Sequence, residues 1–130
     1  ALSEVRLGLI PATIGPYVVA AIGARAARRY FLTGERFGAA AARALGLVHE
    51  VVPAADLSAA GERVLAALLA SGPKAVAEAK ALVRALAGQP ITETLIDDTA
   101  RRIARIRAGD EAREGLGAFL AKRKPAWARE

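Results

Sequence analysis

Only one segment of this 130-residue chain has the pattern of a good β-strand, and this scarcity limits the folds open to it. Residues 47–52 read Leu-Val-His-Glu-Val-Val, are rich in β-branched side chains and are ended by Pro53. Residues 1–9 alternate only weakly and suit a strand end or a loop. One strand and one remnant cannot form a sheet that is stable alone. The helices must therefore pack on one another, or on a sheet and subunits that this chain does not supply.

The rest of the sequence predicts amphipathic helices separated by glycine and proline. We expect the first helix to start at Gly15-Pro16 and end at Gly34, and a short one to run from Ala39 to Leu45. Ser58 and Thr92 are predicted N-caps, and Gly109-Asp110 should end one helix and cap the next. The predicted apolar faces, in chain order, are Val18, Val19, Ile22 and Ala26; Val64, Leu65, Leu68 and Leu69; Val76, Leu82, Val83 and Leu86; Leu95, Ile96, Thr99, Ile103 and Ile106; and Leu116, Phe119 and Leu120.

The composition is that of a folded chain, with 54% hydrophobic and 25% charged residues. No apolar run approaches the roughly 18 residues that suggest a membrane span, and no secretory signal pattern is visible, so no membrane partner is expected. The absence of cysteine excludes disulfides and thiolate catalysis, and it fits a reducing, cytoplasmic location. With a single histidine, His49, no metal site is predicted.

A formal net charge of +6 should attract anions such as nucleic acid, anionic lipid or a phosphate-bearing small molecule. The basic run of Arg101, Arg102, Arg105 and Arg107 has the look of a nucleic-acid stripe. Proteins that bind single strands place aromatic side chains between their cations, and none are interleaved here. We therefore interpret this basic run as a solvated or intersubunit face.

Residue patterns alone single out no catalytic constellation. Glu4 lies beside an apolar, glycine-containing loop, a suitable place for a carboxylate with a raised pKa, but an ordinary solvated acid has the same pattern. His49 is interpreted as structural, and Asp97 and Asp98 point in different directions if they are helical neighbours. No GxGxxG or P-loop is present.

Three motifs, in order along the whole chain, carry a resemblance to a known family. They are Ser-Glu-Val-Arg-Leu-Gly-Leu-Ile-Pro at 3–11, Phe-Leu-Thr-Gly-Glu-Arg-Phe at 31–37 followed by Gly-Leu-Val at 46–48, and Glu-Gly-Leu-Gly-Ala-Phe-Leu-Ala-Lys-Arg-Lys-Pro at 114–125. The chain resembles the C-terminal half of the crotonase (enoyl-CoA hydratase/isomerase) superfamily.

The resemblance implies the C-terminal portion of an α/β crotonase-like (ClpP/crotonase) fold, mostly helical with one or two strand remnants. Residues 1–57 would form the last part of the crotonase α/β core, and residues 58–130 would form a C-terminal helical oligomerisation region. It also implies a homotrimer or a dimer of trimers and an acyl-CoA thioester as ligand. No cofactor is expected, because coenzyme A is part of the substrate.

Within the superfamily, Leu-Ser-Glu at 2–4 with the turn at 10–18 is most similar to bacterial methylglutaconyl-CoA hydratases and their carboxygeranoyl-CoA relatives. Ala12 and Thr13 depart from the usual family turn, where glycine and alanine stand. The resemblance assigns Glu4 as one of two glutamates that handle water and its proton, with Pro11 and Ala12 near the acyl group. Phe119 and Lys122 match positions that contact CoA, often that of a neighbouring subunit, with the lysine near its phosphates.

In the family, the partner glutamate and the oxyanion donors belong to the N-terminal half, so this chain alone should be inactive. Three functions stay open at this point. The expected one is a lyase that adds water across a 2-enoyl-CoA. The alternatives are an acyl-CoA isomerase and a non-catalytic or RNA-binding homologue, although no nucleic-acid partner is expected.

Overall fold

The computed structural model describes residues 1–128, and its regular structure is helical throughout. Two compact units divide the chain, one of residues Ala1–Leu57 and a second that begins at Ser58. Short 3-10 helices cover Glu4–Leu7 and Ala54–Asp56. The α-helices are α1 (Gly15–Thr33), α2 (Ala39–Ala44), α3 (Leu57–Leu69), α4 (Pro73–Leu86), α5 (Glu93–Arg107) and α6 (Asp110–Leu120).

The predicted strand at 47–52 is wrong for this chain, since none of residues 1–128 lies in a β-strand. Gly46, with φ +81°, ends α2, and the N–H of Leu47 closes that end by donating to the Ala42 carbonyl at 2.9 Å. The β-branched residues beyond it remain irregular. A strand needs a neighbour for its backbone N–H and C=O groups, and the described residues offer none.

The strand remnant predicted at 1–9 is also absent. Glu4–Leu7 forms a single 3-10 turn that ends at Gly8, whose φ of +72° suits glycine. The fold-class prediction therefore needs one correction: the chain is mostly helical, as expected, but carries no strand remnant in its described part.

The core of the first unit consists of Leu2, Val18, Ile22, Ala27 and Tyr30. Leu2 brings the N-terminal segment onto α1, so the 3-10 turn is held against that helix. The Phe37 ring lies 4.5 Å from the ring of Tyr30, centre to centre, and extends the core beyond the end of α1.

A kink at Gly23 changes which residues of α1 face this core. Gly23 has φ +74° and ψ 159°, a backbone region open essentially to glycine alone. Of the face predicted before the kink, Val18 and Ile22 are buried, but Val19 is exposed and its prediction is wrong. Beyond the kink, Ala27 is buried while Ala26 is only half-buried. The periodicity of one straight helix could not show this shift.

The motif at 31–37 spans the last residues of α1 and the turn that follows the helix. Gly34 takes the left-handed conformation, with φ +58°, as predicted for a helix end, and donates to the Tyr30 carbonyl. An ion pair between Arg29 and Glu35 spans this turn, and Nη2 of Arg29 donates to Oε2 of Glu35 at 3.1 Å. The guanidinium of Arg29 lowers the pKa of the Glu35 carboxyl.

In the second unit the N-terminal caps of the helices differ in origin. Thr92 caps α5 as predicted, because its Oγ1 accepts from the Leu95 N–H at 3.2 Å. The prediction for Ser58 is wrong, since α3 already begins at Leu57 after the 3-10 turn at 54–56. Asp110 is likewise the first residue of α6, and the cap position belongs to Gly109.

The start of α4 is capped from a distant part of the chain. Glu111 accepts from the backbone N–H groups of Lys74 and Ala75 at 3.0 and 2.7 Å. These are two of the N–H groups that a helix leaves unpaired at its start, where a negative charge is also favoured by the helix dipole. The Glu111 carboxylate therefore joins α6 to the start of α4.

The apolar faces predicted for the helices of this unit exist, but much of their surface is open in this chain. Leu69 is 62% exposed and Val83, predicted to point inward, is 67% exposed. None of the helices in residues 1–128 is long and apolar enough to cross a bilayer. Such faces are typical of surfaces that other polypeptide covers.

Candidate functional site

Glu4 occupies the first position of the 3-10 turn, and backbone hydrogen bonds close this turn. Its carbonyl accepts from the Leu9 N–H at 3.0 Å, and the Gly8 N–H donates to the Val5 carbonyl at 3.2 Å. These two bonds close the turn on itself. The carboxylate therefore projects from a fixed loop, as a group that must meet a reacting atom requires.

The carboxylate of Glu4 has an unsatisfied oxygen. Oε2 is shielded from solvent, and no donor among residues 1–128 reaches it. Buried polar atoms in folded proteins nearly always have partners, because leaving one unpaired costs on the order of 1–3 kcal/mol. An exception of this kind is expected where an acid must exchange protons with a ligand.

Close packing against Gly34 places the segment that carries Glu4. A Cβ atom at Gly34 would lie 3.4 Å from Cα of Ser3 and 3.1 Å from Nε of Arg6. The absence of a side chain there lets the turn lie directly on the end of α1. Together with the buried Leu2, this contact fixes the loop on both sides of Glu4.

Pro11 and Ala12 form a tight turn in the same unit. The Ala12 N–H donates to the Ile10 carbonyl at 2.8 Å, and the Gly15 N–H donates to the Pro11 carbonyl at 2.8 Å. Pro11 is buried and Ala12 is exposed. Of this pair only Ala12 presents its side chain to solvent, and the turn leads directly into α1.

Large apolar side chains are exposed between Glu4 and α1, and also at Tyr17 in the first turn of α1. Leu7 is 78% exposed, Ile10 75% and Tyr17 76%. Exposed apolar residues of this kind supply surface that an acyl chain or another polypeptide can cover.

Phe119 lies near the end of α6 and is 78% exposed, so it is not a core residue of this chain. The next residue, Leu120, is 79% exposed, whereas Ala118 is buried. The end of α6 thus rests on Ala118 and presents an aromatic ring to solvent. A ring of this kind is a usual contact for the flat face of a base.

Lys122 is the one non-glycine residue of the described chain with a positive φ, at +52°. Its N–H donates to the Phe119 carbonyl at 3.1 Å, and the Arg123 N–H donates to the Ala118 carbonyl at 3.0 Å. This is a Schellman motif, which normally places glycine at the left-handed position. A lysine held there at a conformational cost suggests a use for its side chain.

The chain after Lys122 is tied back onto α6 by Glu114. Its two carboxylate oxygens accept from Nη1 and Nη2 of Arg123 at 2.7 and 2.8 Å, and Oε1 also accepts from the Ala126 N–H at 2.9 Å. Nη1 of Arg123 donates as well to the Lys124 carbonyl at 3.0 Å. We call Glu114, Arg123 and Ala126 the tail clamp.

Trp127 completes the docking of this tail. Its indole N–H donates to the Ala70 carbonyl at 3.3 Å. A Cβ atom at Gly115 would lie 3.0 Å from Cη2 of the indole, so the ring lies over the bare backbone of α6. The tail therefore has two attachments, one ionic and one aromatic.

We expect acid to release this tail. The hydrogen bonds from Arg123, and then that from the Ala126 N–H, lower the pKa of Glu114 from 4.5 to about 2. A carboxyl group with a lowered pKa stabilises the folded state above its unfolded pKa, and the stabilisation is lost as pH falls towards the folded value. Tail docking should therefore weaken between pH 4.5 and about 2.

Because Trp127 is the sole tryptophan, its emission should shift to longer wavelength over this pH range. Glu114→Gln should show the shifted emission already at neutral pH and lack the acid step. Emission that stays unchanged down to the lower end of the range would contradict the proposed role of the carboxylate.

The basic run on α5 is partly neutralised within the second unit. Nε of Arg102 donates to Asp98 at 2.6 Å, and Nη2 of Arg105 donates to Glu78 at 2.8 Å. The hydrogen bond from Arg102 lowers the pKa of Asp98. Arg101 also lies within 3.9 Å of Asp98, so three cations of the run are engaged with carboxylates rather than held open for an anion.

The predicted site residues divide between the two units. Glu4, Pro11 and Ala12 belong to the first unit, where one loop carries all three, and Phe119 and Lys122 belong to the second. Sequence patterns missed the tail clamp, because Glu114 and Arg123 are nine positions apart and join a helix to a tail. They also missed the unpaired oxygen of Glu4, which only packing reveals.

The names of known proteins with related sequences refer to reactions of CoA thioesters. The chain is 33% identical to 1,4-dihydroxy-2-naphthoyl-CoA synthase of Mycolicibacterium smegmatis, over 87% of this chain and 36% of the relative. It is 30% identical to carnitinyl-CoA dehydratase of Escherichia coli K12, over 98% of this chain and 50% of the relative. The chain thus spans half or less of the length of these relatives.

A solved structure matches more closely. An enoyl-CoA hydratase from Shewanella pealeana superposes with a TM-score of 0.92 at 49% identity, over 97% of this chain and 47% of that one. The enoyl-CoA hydratase/isomerase family model matches residues 1–130. The family is therefore shown over the full length of the chain, including both groups of candidate site residues. The chain belongs to the enoyl-CoA hydratase/isomerase family, the crotonase superfamily.

Proposed function

We propose that this chain is the C-terminal half of an enoyl-CoA hydratase-type lyase and that Glu4 is one of its two catalytic carboxylates. The observation that carries the proposal is the shielded, unpaired Oε2 of Glu4 in a fixed loop. The matches to proteins named for reactions of CoA thioesters give the substrate class.

The chemistry explains why a carboxylate is needed. Hydration of a 2-enoyl thioester adds hydroxyl to the β-carbon and a proton to the α-carbon. The reaction needs a base for the water, an acid for the α-carbon, and hydrogen-bond donors at the thioester oxygen as enolate charge develops. Glu4 would hold one of the protons that move. The second carboxylate and the oxyanion donors are assigned to no residue of this chain.

The environment of Glu4 suits that role. The exposed apolar residues of the loop, Leu7 and Ile10 among them, would border the acyl group and limit access of bulk water. Pro11 and Ala12 shape the turn on the same loop, with Ala12 as the surface residue of the pair. These residues would line the substrate without taking part in proton transfer.

The second unit would bind the CoA part of the substrate. Phe119 offers an exposed ring for the adenine base, and Lys122 offers a cation for the phosphates. Lys122 has no ion-pair partner within residues 1–128, so its charge is open to a ligand. The left-handed backbone at this residue is a cost that ligand binding would explain.

The finer assignment follows the turn sequence. Residues 2–4 and 10–18 favour a methylglutaconyl-CoA-like substrate. We also propose that the complete protein is a homotrimer or a dimer of trimers in the cytoplasm. The open apolar faces of α3 and α4 support assembly with other polypeptide. An isomerase remains an alternative, because it differs from a hydratase in the acids around the substrate rather than in Glu4 alone.

An RNA-binding role is less well supported. Of the basic run on α5, Arg102 and Arg105 are paired with Asp98 and Glu78. The run also lacks an aromatic platform. Salt-sensitive RNA binding that is abolished by charge reversal at Arg101, Arg102 and Arg105 would favour this alternative.

The proposal can be tested by completing the enzyme. Fusing this chain to the complementary part of the Shewanella pealeana hydratase gives what we call the joined protein. We expect the joined protein to hydrate crotonyl-CoA, followed by loss of the ultraviolet absorbance of the enoyl thioester. The chain alone should show no hydration, because the second catalytic carboxylate and the oxyanion donors are assigned to no residue of it.

The control is the same fusion with the Shewanella pealeana sequence throughout, which shows that the junction permits activity. An active control with an inactive, folded joined protein would count against the hydratase assignment. Hydration by the chain alone would also contradict the account, since it would place the whole catalytic apparatus within these residues.

A further inference from the structure

Lys122, Arg123 and Lys124 are consecutive in the sequence, but their side chains are in different environments. Arg123 is engaged with Glu114 and with the Lys124 carbonyl. Within residues 1–128, neither Lys122 nor Lys124 has an ion-pair partner. Arg123 thus has a structural role, whereas the charges of Lys122 and Lys124 are available to a ligand.

The same contacts fix the backbone that bears these lysines. On one side of Arg123, the Schellman motif holds Lys122 at φ +52°. On the other side, the guanidinium of Arg123 holds the Lys124 carbonyl, and Glu114 holds the Ala126 N–H. A tail of this composition would otherwise be mobile, and ordering two long cationic side chains on binding would weaken affinity.

We propose that Glu114 is a positioning residue, which through Arg123 presents Lys122 and Lys124 as a two-cation site for the phosphates of a CoA thioester. This inference rests on the proposed function, since it takes Lys122 to be a CoA contact. Glu114 itself would not touch the ligand. Its carboxylate acts by preorganising the tail, which lowers the entropy that binding must overcome.

The proposal makes a prediction that opposes simple electrostatics. Removing a negative charge near a phosphate site should tighten the binding of a polyanion, because one repulsion is gone. If Glu114 positions the lysines, Glu114→Gln should instead weaken CoA binding about tenfold. In that variant the tail is no longer held, so CoA binding must itself order the two long lysine side chains. The sign of the change therefore separates the two accounts.

The test measures CoA affinity of the purified chain by isothermal titration calorimetry. Lys122→Gln reports the direct contact, and Glu114→Gln reports the positioning. Asp110→Asn is the matched control, because it removes an equal charge from an exposed carboxylate of α6 that pairs with Arg113 and not with the tail. We expect weaker binding for the first two variants and unchanged or slightly tighter binding for the control.

Three further measurements separate a positioning role from a defect in the fold. Far-UV circular dichroism shows whether Glu114→Gln keeps its helices. Glu114→Asp keeps the charge but shortens the reach to Arg123 and Ala126, so it too should weaken binding. In the triple variant Glu114→Gln/Lys122→Gln/Lys124→Gln, affinity should fall little below that of Lys122→Gln/Lys124→Gln, because both lysines that Glu114 positions are already removed.

Each result has one meaning. Equal or tighter CoA binding by Glu114→Gln, with Lys122→Gln weakened, overturns the positioning role and leaves the proposed CoA site intact. An undiminished loss from Glu114→Gln when both lysines are already replaced also overturns it. No effect of Lys122→Gln, or no CoA binding by the wild-type chain, refutes the CoA site on which the inference rests.

Discussion

Replacing Glu4 by glutamine should lower the rate of crotonyl-CoA hydration by the joined protein by about 10²–10⁴-fold, the usual contribution of a general acid or base. Glutamine keeps the shape of the side chain but cannot take up or release a proton. Substrate binding should change little, so the loss should fall on kcat rather than KM. Steady-state assays of the two proteins test this directly.

The matched control is Asp56→Asn, which removes a carboxylate from the 3-10 turn at 54–56, away from the Glu4 loop in the sequence. It should leave the rate unchanged. Glu4→Asp keeps the carboxylate but withdraws it by one methylene, and its rate should lie between those of wild type and Glu4→Gln. A Glu4→Gln protein as active as the wild type would remove Glu4 from the mechanism.

The largest expected effect on stability comes from Gly72→Ala. A Cβ atom at Gly72 would lie 2.5 Å from Oε1 and 2.9 Å from Cδ of Glu111, so the carboxylate must leave the start of α4. It would give up its bonds to the N–H groups of Lys74 and Ala75. We expect a loss of about 1–3 kcal/mol in the free energy of unfolding, the range for charge-assisted hydrogen bonds.

A double-mutant cycle in urea, followed by far-UV circular dichroism, checks the cause. Glu111→Ala removes the carboxylate and should destabilise the chain by itself. In the Glu111→Ala background, Gly72→Ala should cost little or nothing, because no carboxylate remains to be displaced. Equal costs of Gly72→Ala in both backgrounds would show that the contact with Glu111 is not the reason for glycine.

Local patterns predicted the helices well because their causes are local. The end of α1 at Gly34 and the cap of α5 at Thr92 each depend on one residue and its near neighbours in sequence. The predicted face of α1 is correct at Val18 and Ile22, wrong at Val19, and shifted beyond Gly23. The kink there depends on a backbone conformation, which hydrophobic periodicity does not report.

The strand prediction at 47–52 failed for a different reason. Its residues have high β-propensity, but propensity describes fitness for a pleated sheet surface rather than an ability to form one alone. Without a neighbouring strand among the described residues, the segment stays irregular. The same argument explains the absence of a strand at the N-terminal residues.

The candidate site was predictable only through resemblance. By pattern, Glu4 was indistinguishable from a solvated acid, and its unpaired Oε2 becomes visible only in the folded loop. The clamp of Glu114 on Arg123 and the cap of Glu111 on α4 join residues far apart in sequence. Such contacts have no periodicity that a sequence can display.

The most direct test of the central claim is a structure of the joined protein with an enoyl-CoA or its hydrated product bound. If Glu4 is catalytic, one of its carboxylate oxygens should lie about 2.6–3.2 Å from the attacking water or from the product hydroxyl. A Glu4 carboxylate that is instead paired with a protein donor, and out of hydrogen-bonding reach of the reacting atoms, would contradict the account.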